Sequence, residues 1–149
     1  MRASTFLNKL LIGITILAIF WYFYSLIHSN QRYQLLQEQT DKTFQRQLAQ
    51  VGECFGQEMD ETAFTRCIAA VTAAASISHL TSFTQTQDGE TLDFIMNQFI
   101  NEMYIPANKT TIIDHQGELN SLFFLLARDP ADKQLTKQLK DFVGSLNSI

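Results

Sequence analysis

The sequence predicts an α+β fold: an amino-terminal transmembrane helix running on into a long helix, a helical hairpin backing an antiparallel sheet, and a closing carboxy-terminal helix. Three observations predict it. Residues 10–27 (LLIGITILAIFWYFYSLI) form an apolar run without a charge. Two stretches with apolar side chains three or four apart follow it, separated by Gly52 and Gly56. Beyond Ser76, β-branched and hydroxyl side chains, turn dipeptides and a short wholly apolar run replace the helical spacing. An all-α bundle, with residues 77–86 and 122–127 helical, is the alternative.

The apolar run is at the lower end of the roughly 17 to 25 residues that cross a bilayer as a helix. Only Thr15 and Ser25 are polar within it, and Trp21, Tyr22 and Tyr24 gather toward one end, as aromatic side chains do at a headgroup boundary. No small-residue cleavage site follows, so the segment reads as an uncleaved signal anchor. Arg2 and Lys9 precede it with no acid to offset them. The expected organisation is a cytoplasmic tail (1–9), a single-pass anchor (10–28) and a periplasmic domain (29–149) on a bacterial inner membrane, with the lipid bilayer as first partner.

Of the 149 residues, 46% are apolar and 17% charged, with a net charge of −4. Beyond residue 30, nine Lys+Arg face fifteen Asp+Glu, a net −6. Such an acidic part repels phosphate backbones, so no nucleic-acid partner is expected.

Tyr33, Leu36, Thr40, Phe44, Leu48, Val51 and Phe55 make one stripe of an amphipathic helix. With no Pro or Gly from residue 14 to 51, that helix can continue the membrane segment as a stalk. Tyr33, Leu36, Phe44, Leu48 and Val51 are the candidate face for a partner helix, on a membrane protein or a second copy of the chain. Packing on the domain's own core is the competing reading. Asp60 can cap a second helix carrying Phe64, Ile68, Val71 and Ala75, antiparallel to the first. Cys54 and Cys67 flank the junction. In an oxidising compartment they favour a structural disulfide, the alternative being two buried thiols. Their spacing resembles neither C-x-x-C nor a zinc site.

Residues 77–86 (ISHLTSFTQT), the Asp88-Gly89 turn and residues 90–94 predict a β-hairpin. Residues 95–105 begin as a helix and end as a strand before Pro106, 110–113 are strand-like, and Gln116-Gly117 supplies a turn. The run LFFLLA (122–127) suits a strand buried on both faces. Asp129-Pro130 starts the last helix, with Ala131, Leu135, Leu139, Phe142 and Leu146 inward and Lys133, Lys137 and Lys140 outward.

The stretch 60–93, with ETAFTRCIAAVTAAASISHLTSFTQTQDGETLD following Asp60, and YIPANKTTIIDHQGELNSLFFLLA (104–127) resemble the extracytoplasmic sensor domains of the PDC or Cache class, in which two helices back a PAS-like sheet. Among small membrane proteins, residues 5–140 resemble the haemolysin-like Smp/AhpA type of bacterial inner-membrane protein. The resemblance implies a sensor-like or accessory domain acting through protein contacts or a small ligand, without catalysis. It carries over no ligand-binding residue, and the chain lacks the second span typical of that type.

Other chemistry is sparsely supported. His79, Asp114 and His115 could meet across a sheet around a metal, although nothing in their spacing enforces it. There is no G-x-S-x-G elbow and no glycine-rich phosphate loop. No cofactor, metal or catalytic residue is therefore expected. Three function classes remain: a sensor-like accessory domain, an assembly subunit using the stalk helix, and, with least support, a metal-dependent hydrolase.

Overall fold

The computed structural model describes residues 2–84 and 91–146, with side chains described at 13–22, 24, 32–83 and 91–146. Among the described residues there are helices and no strands: α1 (Arg2–Phe55), α2 (Glu61–Ser78), a 3-10 turn (Ser82–Thr84), α3 (Leu92–Met103), α4 (Asn108–Asp114), α5 (Gln116–Arg128) and α6 (Lys133–Leu146). The chain divides into two compact units, Met1–Leu36 and Gln37–Ile149.

The α+β expectation is thus overturned in favour of an all-α fold. Helix and turn stand where strands were expected. The helical spacing of Phe64, Cys67, Val71, Ala74 and Ala75 carries α2 on through Ser78, so residues 77 and 78 close a helix instead of opening a strand. Asp88-Gly89 lies outside the described residues. Leu92 starts α3, because Leu92, Ile95, Met96, Phe99 and Met103 bury one helical face. Thr110 and Thr111 sit inside α4 despite their β-branching, with Ile112 buried on its inner face. In LFFLLA, Leu122, Phe123 and Leu126 turn inward with Leu119, while Phe124 and Leu125 are left outside; this is the 3.6-residue period of α5.

A second correction concerns the membrane. Among the described residues, no helix is long and apolar enough to cross one. The side chains at 10–12, 23 and 25–28 lie outside those described. The single-pass anchor, the inner-membrane location and the periplasmic placement drawn from it are therefore not supported.

In the unit from Gln37 onward, the carboxy-terminal part of α1 supplies Phe44, Leu48, Val51 and Phe55 to the core. Helix α2 packs on α3, α3 on α6, and α5 on α6. At the centre Phe55, Phe99 and Phe123 lie with centroids 5.9–6.2 Å apart, and Phe142 meets Phe99 edge-on at 6.0 Å. Such offset and edge-to-face contacts are the favoured arrangements of aromatic quadrupoles.

Two aspartates set helix starts. Asp60 accepts from Ala63 N–H at 2.6 Å and caps α2 as expected. At the last helix the cap is Asp132, which accepts from Gln134 N–H at 2.7 Å and Leu135 N–H at 3.2 Å, so α6 begins three residues later than the Asp129-Pro130 signal implied. Asp129 instead accepts from Ala131 N–H within the preceding turn.

Candidate functional site

In Met1–Leu36 the feature that stands out is exposed apolar area. Ile14, Ile16, Leu17, Ile19, Phe20 and Trp21 are all exposed, Phe20 at 71% and Trp21 at 77%. At 100° per residue they spread around the helix circumference, so no single face is apolar. A helix that is apolar all round is ordinarily enclosed on every side. No charged side chain stands from residue 10 to 31, and so none interrupts the segment.

The expected partner-helix stripe divides along α1. Phe44, Leu48 and Val51 are buried in the chain's own core, whereas Tyr33 and Leu36 are 70% and 60% exposed. The competing reading of the stripe thus holds for its carboxy-terminal part. Sequence period alone could not locate the division, because the spacing of three and four continues unchanged across it.

At the end of α1, Cys54 and Cys67 are joined in a disulfide, with Cα atoms 5.5 Å apart. Cys67 is fully buried and Cys54 partly so. Both thiols are consumed, so neither is a nucleophile or a metal ligand in this state.

His79 is exposed at the end of α2, while Asp114 and His115 stand at the junction of α4 and α5. The His115 Nδ1 lies 2.9 Å from Thr111 O, and its ring rests against Phe142 with centroids 5.5 Å apart. Among the described residues no group of three His, Cys, Asp or Glu side chains could hold a metal ion.

Several polar arrangements escaped the sequence reading. Asn108 Nδ2 donates to the buried Glu102 carboxylate at 2.7 Å and ties α4 to the end of α3. Lys109 forms an ion pair with Glu61 and also stands 5.3 Å from the Phe64 ring centroid, joining α4 to the start of α2. Asn120 Nδ2 donates to Gly52 O at 2.7 Å. A Cβ at Gly56 would lie 2.7 Å from that amide nitrogen, so the glycine admits the close approach of α5. None of these pairs is adjacent in sequence, and only Gly52 and Gly56, which separate the two helical stretches, mark the place.

No family model, curated protein or solved structure matches the chain.

Proposed function

We propose that this protein is a non-catalytic assembly subunit that self-associates through the amino-terminal part of α1. The observation carrying this reading is the set of exposed apolar side chains from Ile14 to Trp21, distributed around the whole helix. Water contact with that much apolar area is unfavourable by about 25 cal/mol per Å². Enclosure by neighbouring helices removes it. The absence of charge from residue 10 to 31 means that copies of the segment do not repel one another, and the aromatic Phe20 and Trp21 are of the type enriched at protein interfaces. The carboxy-terminal unit, closed by its own core and by the Cys54–Cys67 bridge, is the part that the assembly would present.

Sedimentation equilibrium of the full chain tests this. The expected result is a particle of more than one chain that falls to the monomer mass when Leu17 and Phe20 are both changed to Arg, with helicity retained. A monomeric wild type, or a mass indifferent to both substitutions, overturns the proposal.

A further inference from the structure

Between α5 and α6 lies a half-open groove of about 370 Å³, lined by Glu118, Leu119, Leu122, Gln138 and Phe142. Its floor is firm, because Leu119 and Leu122 belong to the buried core. The Phe142 ring is held from two other directions, edge-on by Phe99 at 6.0 Å and by the His115 ring at 5.5 Å. The groove therefore has an aliphatic and aromatic bed that exists before anything binds, which limits the ordering cost of occupation. Its volume is at the small end of the roughly 300 to 1,000 Å³ of ligand sites.

The polar lining fixes the sign of the occupant. Glu118 is the one charged side chain among the five lining residues, and no ion pair among the described residues engages its carboxylate. Gln138 adds a side-chain amide from the opposite helix, which can turn its oxygen toward a donor. Lys133, Lys137 and Lys140 of α6 do not line the groove. An anion placed there would meet an uncompensated carboxylate. A cation would meet that carboxylate beside the Phe142 ring.

We infer that the α5–α6 groove binds a small organic cation, an ammonium group on a short aliphatic or aromatic body. The body lies on Leu119, Leu122 and Phe142. The ammonium donates to Glu118, with Gln138 as second acceptor. This goes beyond the assembly role and does not depend on it, since every residue involved belongs to α5 or α6.

Three probes matched in size and differing in charge test the inference on the full chain by ligand-observed NMR: phenethylamine, 2-phenylethanol and 3-phenylpropionate. Phenethylamine should bind at least about tenfold more tightly than the alcohol, the ratio that a charge-assisted hydrogen bond of ~1.4 kcal/mol gives. The carboxylate should bind least. Glu118→Gln, at an exposed position, should abolish the preference for the amine while leaving the fold intact, and Gln138→Ala should weaken the amine alone. Equal binding of the three probes overturns the inference. So does a preference that survives Glu118→Gln, or an absence of phenethylamine binding at about 10 mM, where even ~3 kcal/mol of affinity would register.

Discussion

Asp41, on α1, holds Ser82 from a distance of 41 residues in sequence, its carboxylate accepting from the Ser82 N–H at 2.9 Å and from the Ser82 hydroxyl at 2.6 Å. Gln37, one turn earlier, donates to Asp41 at 3.1 Å and to Leu80 O at 3.1 Å. The 3-10 turn after α2 is thereby fastened to α1. Burial pushes the Asp41 carboxyl up, but the hydrogen bonds from the Ser82 hydroxyl, the Ser82 N–H and Gln37 outweigh it and hold the carboxyl below its ordinary value.

The first prediction concerns acid. Since Asp41 ionises at lower pH when folded than when unfolded, its contribution is complete above the unfolded value of about 4. It is lost as pH falls through the lower folded value. Asp41→Asn should cost about 1 kcal/mol at pH 7 and flatten the decline of stability with acid. Urea midpoints of the two proteins between neutral pH and pH 3 measure this; parallel curves would count against it.

Reduction of Cys54–Cys67 should lower stability by about 3 kcal/mol on the chain-entropy account of a loop this short. The double change of both cysteines to Ser should reproduce the loss and remove all further effect of a reductant on the urea midpoint.

Gly56 and Asn120 should behave as a coupled pair. Asn120→Ala removes the hydrogen bond to Gly52 O, and Gly56→Ala displaces the same amide, each costing about 1 kcal/mol. With the amide already gone, the added methyl meets no obstacle, so the double variant should be no less stable than Asn120→Ala alone. Additive losses would refute the coupling.

Two neighbouring types of aromatic should separate cleanly. Phe99→Ala, in the middle of the Phe55, Phe123 and Phe142 rings, should cost about 3–5 kcal/mol. Phe124→Ala, at a residue 42% exposed on α5, should cost less than about 1.5 kcal/mol. Thermal unfolding of the two variants checks the contrast.

The helices that the sequence made legible are those with a long, unbroken apolar period: the carboxy-terminal stretch of α1, α2 behind Asp60, and the closing helix α6, whose start alone was misplaced. The expected sheet arose from short segments judged on composition. Thr110-Thr111 and LFFLLA carry β-favouring side chains, but α4 packs on α3 and α5 on α6, and tertiary packing overrides propensity over so few residues. LFFLLA was ambiguous for a further reason, since six apolar residues fill both faces of a strand or most of a helix turn and a half equally well. Of the candidate site residues, Cys54 and Cys67 meet as anticipated because they bracket one short junction. The grip of Asp41 on Ser82 and the groove beneath Glu118 depend on pairings distant in sequence, for which the chain offers no local signal.

The bridge between Cys54 and Cys67 spans the turn at residues 56–60 that links α1 to α2. A protease cutting within that turn would leave the two fragments covalently tethered. The nicked chain would migrate as a single species on a gel run without thiol and as two once a thiol is added, so a clipped population would pass unnoticed wherever size alone is read under oxidising conditions.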